Sequence, residues 1–251
     1  MELRDDYEKL YTRYFWIGLI GLLFGSVITL VLFLSFRVIL DNPELVFQYL
    51  TATNPDDIPE RIHFYSIFAS LIVNIFLVFI FSLLLIKPLK IDFTKFKSKL
   101  LKNVLIIVVG TVLMKVAFIG VSYIYEKLLG IDLSTSSANQ ELIENAIASP
   151  LAWAVFIATV IVAPILEEMI FRKCLFGMLE KNLNVSRIVA IIISTLLFSF
   201  VHVMDMDSLQ FIFLYIPYAL VLSIAYSMSD NNYYVPFGMH FMSNLLGFFG
   251  I

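Results

Sequence analysis

Apolar runs long enough to cross a bilayer return along the whole chain, and nothing else constrains its fold as much. They extend from Tyr14 to Phe36, Phe64 to Ile86, Val104 to Ile124, Leu151 to about Leu179, Ile188 to Val203, Phe211 to Met228 and Val235 to Gly250. A transmembrane helix needs about 20 mostly apolar residues, so these are seven candidate spans. Composition points the same way: 60% of the 251 residues are hydrophobic and the mean hydropathy is +0.91, well beyond the apolar share of soluble domains. The expected fold is all-α, a polytopic transmembrane helical bundle of about seven spans in contact with membrane lipid. With 23 residues and no small-residue cleavage site before its end, the first run exceeds a signal-peptide core and reads as a retained span. No repeat or low-complexity loop suggests a second domain. Residues 1–149 supply N-terminal transmembrane helices and loops, and 150–251 complete the same bundle.

Charge sets the orientation. KPLKIDFTKFKSKLLK, between the second and third runs, holds six lysines and one acid, whereas Gly130 to Pro150 holds three acids and no basic residue. Lysine-rich loops stay cytoplasmic, which places the N-terminus inside, Arg37 to Ile62 outside, Lys173 to Arg187 inside and the MDMD stretch outside. The proline-interrupted NPELVFQYLTATNPDDIPE reads as a solvated loop in preference to a short interfacial helix. A net charge of -3 gives no reason to expect nucleic-acid binding, and the single Cys174 excludes an internal disulfide and a cysteine zinc cluster.

Carboxylates inside a span are costly and usually functional, which singles out Glu167 and Glu168 in PILEEMIFR. On a helix Glu168 and Arg172 stand one turn apart in the favourable order for an ion pair, while Glu167 is rotated by about 100 degrees. The two acids should therefore differ in role, with Glu168 neutralised by Arg172 and Glu167 turned to a cavity as a proton acceptor. The alternative is that both are solvated at the cytoplasmic end of a long helix. Pro164, one turn earlier, removes a backbone donor and favours a kink. Two of the three histidines, His202 and His240, lie in apolar runs, and His63 reads as interfacial. His240 and Asn244 are four residues apart and share a face. Glu, His, His and Asn together form an acid-base set, although a lone intramembrane histidine is more often a packing residue. Lys115, near the centre of the third run, calls for a partner: either Glu168 or the polar cavity, or snorkelling and backbone carbonyls. Gly21 and Gly25 fit a close helix contact. Ser194 and Ser199 lack a nucleophile-elbow context and a separate Asp-His pair, which argues against a serine protease.

EEMIFR, FSFVH and HFMSN, in that order on separate apolar segments, resemble the EExxxR, FxxxH and HxxxN/D motifs of the CPBP family, the type II CAAX prenyl endopeptidases and their bacteriocin-processing relatives. Glu167, Glu168, Arg172, Phe198, His202, His240 and Asn244 match all the fixed positions. The resemblance covers about Pro150 to the C-terminus, making 150–251 the catalytic helical core, without the further C-terminal helix of some members. It implies an intramembrane endopeptidase acting on membrane-associated peptides or proteins, with Glu167 and His202 activating water, His240 and Asn244 donating to the oxyanion, and Glu168 and Arg172 supporting the site. It also implies an integral protein of a bacterial cell membrane, in a family linked with bacteriocin immunity. Metal is the family's open point. No HExxH is present and Asn244 is a poor zinc ligand, so a metal-free site is preferred, with zinc on Glu167, His202 and His240 as the alternative.

Depth raises a difficulty. Glu167 lies roughly 24 Å along its helix from Leu151, near the inner side, while His202 lies about 21 Å from the inner end of its own run. Sliding the long fourth run outward, or starting the fifth nearer Asn182, brings them level, with a site open to the cytoplasm. Two other functions compete: a non-catalytic immunity or sensor protein binding a peptide in the same pocket, and a proton-coupled transporter, which the lack of inverted repeats disfavours. Nothing in the residues selects a substrate.

Overall fold

A bilayer offers backbone groups no hydrogen-bond partners, so each crossing segment must satisfy its own. The computed structural model describes residues 10–40, 60–128, 130, 152–204 and 208–250, with Glu44, Phe47 and Thr51 between the first two stretches. These residues form helices and no strand. In chain order they are α1 (Tyr11–Leu40), α2 (Glu60–Leu84), α3 (Ile86–Ser98), α4 (Leu100–Leu128), α5 (Ala152–Asn182), α6 (Arg187–Val201), α7 (Ile212–Met228) and α8 (Tyr234–Phe248). Each of the seven apolar runs falls on a helix. Five helical stretches, at α1, α2, α4, α5 and Ser208–Met228, are long and apolar enough to cross a membrane, whereas α6 and α8 have 15 residues each. The protein is an integral membrane bundle.

Two groups of contacts mark opposite ends of the bundle. At one end Asn182 Nδ2 donates to Thr12 Oγ1 (2.7 Å), Lys173 pairs with Asp92 and Lys99 with Asp230. At the other, Phe68 meets Trp153, Phe156 meets Phe248, and Tyr125 donates to the carbonyl of Gln210. These pairings are those expected from the alternation of spans. The lysine-rich stretch departs from expectation: it is helix α3, not a loop. Pro88, Leu89 and Asp92 of α3 are buried, so the charged stretch gains an inward stripe on which a helix can dock. The NPELVFQYLTATNPDDIPE segment, Gly130 to Pro150 and MDMD fall, but for isolated positions, outside the described residues, as does the side chain of His63.

The core lies around α5, where Ile170, Phe171, Leu175 and Phe176 are fully buried against Phe15, Phe81 and Phe198. Gly21 and Gly25 do serve a close helix contact, within the chain: a β-carbon at Gly21 would lie 2.9 Å from Leu77, and one at Gly25 2.6 Å from Val73, both on α2. Gly25→Leu should therefore force α1 and α2 apart, at a cost of about 1–3 kcal/mol. Gly120→Leu, with nothing within 4 Å of its added β-carbon, should leave stability unchanged. Thermal unfolding of the two variants in detergent checks this, and equal midpoints would contradict the packing.

Candidate active site

Helix α5 is 31 residues long, and Glu167 is fifteen residues from either end of it. His202 follows the last residue of α6 and is likewise fifteen residues from its start, Arg187. Both therefore stand about 22 Å from the 183–186 turn, and the depth difficulty disappears once both are counted from that turn and not from Leu151 as the outer surface. The chain stops there by recognisable chemistry. Asn184 adopts φ 51, Val185 N–H reaches back to the Leu179 carbonyl, and Ser186 caps α6 through its side chain.

Glu168 is fully buried and holds two cations or potential cations. Its Oε2 faces Arg172 Nε at 3.1 Å, with both side chains 0% exposed. Neither atom has a hydrogen-bond partner among the described residues, so this is an ionic contact, not a directed bond. Its Oε1 lies 2.9 Å from His240 Nδ1. Arg172 also donates through an Nη to the Ala219 carbonyl and lies 4.4 Å over the Phe198 ring. One residue of each motif is thereby gathered around one carboxylate.

Glu167 has the contrasting environment. Its Oε2 is buried without a hydrogen-bond partner among the described residues. It faces His202 Nε2 at 3.8 Å and His240 Nε2 at 3.9 Å. Neither ring is free to choose its tautomer. His202 Nδ1 is 2.8 Å from the Phe198 carbonyl, which accepts only, so Nδ1 carries a proton and a neutral ring presents a lone pair on Nε2. His240 Nδ1 meets a carboxylate, so it too donates. Phe198 and Tyr215 flank the His202 ring at 4.6 and 5.0 Å. The side chains of Glu167 and His202 are 13% and 18% exposed, against 5% for His240, so access is from the Glu167–His202 side.

Asn244 is tied to α5 by a backbone defect. Residues Phe156–Val162 are π-helical, and Ala163 N–H goes to Ala158 O. The donor five residues beyond Thr159 would be Pro164, which has none. The freed Thr159 carbonyl accepts from Asn244 Nδ2 at 2.8 Å, and Tyr218 donates to Asn244 Oδ1 at 3.1 Å. The acceptor-only carbonyl fixes the amide orientation and leaves Asn244 one further N–H. Pro164 thus acts on the site through a π segment.

Ser194 and Ser199 are buried and donate to the Phe171 and Thr195 carbonyls, a bonding pattern of packing hydroxyls. Lys115 Nζ comes near Gly247 in the last turn of α8, while both Glu168 oxygens face other groups. Sequence reasoning missed Thr159, Tyr215 and Tyr218. It also missed a buried knot at one end of the bundle: Lys173 Nζ to Asp92 Oδ2 at 2.6 Å, Tyr233 N–H to the same oxygen, and Asn232 Nδ2 to the Asp92 carbonyl. This knot joins α3, α5 and the start of α8. The sole acid among six lysines was the available signal.

Two imidazole Nε2 atoms and a carboxylate, with each Nδ1 held by an acceptor, are donor types that suit zinc. The spacing does not: among the described residues no three His, Cys, Asp or Glu side chains are placed to hold a metal ion.

Residues 149–246 match the family model described as type II CAAX prenyl endopeptidase Rce1-like, a stretch that contains all seven motif residues. The chain is also 30% identical over 126 residues to the membrane-embedded CAAX protease MroQ of Staphylococcus aureus (strain USA300), covering 48% of this chain and 50% of that protein. The chain thus spans about half the length of the curated relative it matches. No solved structure matches it.

The buried knot generates a prediction. Lys173→Met leaves the Asp92 charge unpaired and should cost about 3–5 kcal/mol. Adding Asp92→Asn removes that charge while keeping an acceptor for Tyr233 N–H, and should recover part of the loss. Unfolding midpoints of the single and double variants check this, and a double variant no more stable than Lys173→Met would contradict it.

Proposed function

We propose that this chain, which matches the Rce1-like type II CAAX prenyl endopeptidase family model over residues 149–246, is an intramembrane endopeptidase that cleaves membrane-associated peptides or proteins with a water activated by Glu167 and His202. The observation that carries this reading is the Glu167 Oε2 atom, buried without a donor among the described residues and facing two histidine Nε2 atoms. An oxygen in that setting is a ready acceptor for a water proton.

The two histidines divide the work through what holds their Nδ1 atoms. His202, bonded to a carbonyl, offers an Nε2 lone pair and orients the water beside Glu167. His240, whose Nδ1 donates to the Glu168 carboxylate, can donate through Nε2 when that nitrogen also carries a proton.

Water gives a proton to Glu167, and the resulting hydroxide adds to the scissile carbonyl carbon. His240 Nε2–H and the second Asn244 N–H donate to the oxyanion, each such fixed donor being worth roughly 3–4 kcal/mol. As the tetrahedral intermediate collapses, the C–N bond breaks and the proton held by Glu167 passes to the leaving amine. No covalent enzyme intermediate and no metal is required. The lysine-rich end of the bundle, with the N-terminus, lies in the cytoplasm of a bacterial cell.

Cleavage by purified wild-type and Glu167→Ala protein, with and without a strong zinc chelator, tests the proposal. The expected result is a loss of about 10²–10⁴-fold in the variant and no effect of chelator. Unchanged cleavage by the variant would sink the mechanism, and loss in chelator would reinstate zinc. Asn244→Ala should lower kcat by about 10²–10³ with little change in KM. Steady-state kinetics check that split, and a change confined to KM would reassign Asn244 to substrate binding.

A further inference from the structure

Helix α3 carries chemistry that the Glu167 site does not use. Its positions 86, 89, 90 and 93 are spaced to share one helical face, and they hold Ile86, Leu89, Lys90 and Phe93. With Ser82 near the end of α2, Thr94, and Tyr234 at the start of α8, these residues line a groove of about 470 Å³. Much of its lining is apolar: Leu89 is buried, and the rings of Phe93 and Tyr234 pack with centroids 5.4 Å apart. Beside it stand cations. Lys90 lines the groove, and Lys97 Nζ stands 4.3 Å over the Phe93 ring.

The charge of α3 is one-sided. It bears Lys87, Lys90, Lys95 and Lys97 against one acid, Asp92, and Asp92 is buried against Lys173. Of the lysines that follow, Lys99 pairs with Asp230 and Lys102 donates to the Met228 carbonyl. Alongside the lysines, Ile86, Ile91 and Phe93 are 43%, 51% and 44% exposed. Exposed apolar side chains alternating with lysines, on a helix at the end of a span, suit the boundary between lipid headgroups and acyl chains.

We propose that this groove binds an anionic phospholipid, with its phosphate on Lys90 and an acyl chain along Ile86, Leu89 and Phe93. The ligand has to combine negative charge with a long apolar body. Free phosphate gains nothing from the apolar lining. A zwitterionic phospholipid brings a cation of its own towards Lys90 and Lys97. An anionic phospholipid meets both demands, and lysine-rich segments beside a span attract such lipids.

The test uses the full chain in detergent, titrated with phosphatidylglycerol or phosphatidylcholine and read by native mass spectrometry for retained lipid. Wild-type protein should retain one phosphatidylglycerol at a concentration at least about tenfold below that needed for phosphatidylcholine, by the contrast in headgroup charge. Lys90→Gln should abolish this preference, Lys90→Arg should keep it, and Lys127→Gln, at the end of α4, should not alter it. Inorganic phosphate at the same concentrations should not displace the lipid. Equal retention of the two lipids, an undiminished preference in Lys90→Gln, or displacement by inorganic phosphate would overturn the proposal. None of these readouts involves proteolysis, so failure of the lipid site and failure of the protease reading are separable.

Discussion

A carboxylate with no access to water is tolerable only where its charge is matched, and Glu168 is matched from two directions. Arg172, one helical turn further on, neutralises it along α5, and His240 meets it from α8. The Arg172 guanidinium in turn lies on the Phe198 ring of α6, a cation–π contact that is stronger where water is absent. Three helices are thus held at fixed separations by one buried charge and its partners. Because Glu168 takes up the arginine, its neighbour Glu167 faces away with a buried oxygen that has no donor among the described residues. The division between a supporting and a reactive acid follows from a single residue's rotation around the helix.

The second constraint is backbone geometry. π segments are uncommon and gather at functional sites, and α5 has three: Phe156–Val162, Met169–Leu175 and Met178–Asn182. The first, acting with Pro164, frees the Thr159 carbonyl to hold Asn244. A regular α-helix would have used that carbonyl internally and left the amide to find another acceptor. The site is assembled from an ion-pair cluster on one side and a helical defect on the other.

Much of this was readable from residues because it depends on local spacing. The four-residue separation of Glu168 and Arg172 is sufficient to pair them, and that of His240 and Asn244 to place them on one face. Apolar runs located all seven helices of the bundle proper. What failed to show was whatever depends on tertiary partners. The lysine-rich stretch looked like a loop because the reason for its helix, Asp92 meeting Lys173, lies 81 residues away. Tyr218 and Tyr215 sit in an apolar run where an aromatic residue carries no distinguishing signal. The end of α5 was placed three residues early, although Asn184 and Ser186 are ordinary stop and start signals. That error, about 4.5 Å along the helix, is one part of the apparent mismatch in depth between Glu167 and His202; the rest came from setting Leu151 at the outer surface of a helix longer than the roughly 30 Å bilayer core.

The central claim is that the two adjacent acids differ in kind, one holding the bundle and one kept ready for chemistry. Its most direct test is the unfolding midpoint of Glu167→Gln and Glu168→Gln, each in the same detergent as the wild type. Glu167→Gln removes a buried charge that has no donor among the described residues, so its midpoint should equal or exceed that of the wild type. Glu168→Gln strands the Arg172 charge, so its midpoint should fall by several degrees. Equal destabilisation by the two substitutions, or the reverse order, would contradict the account.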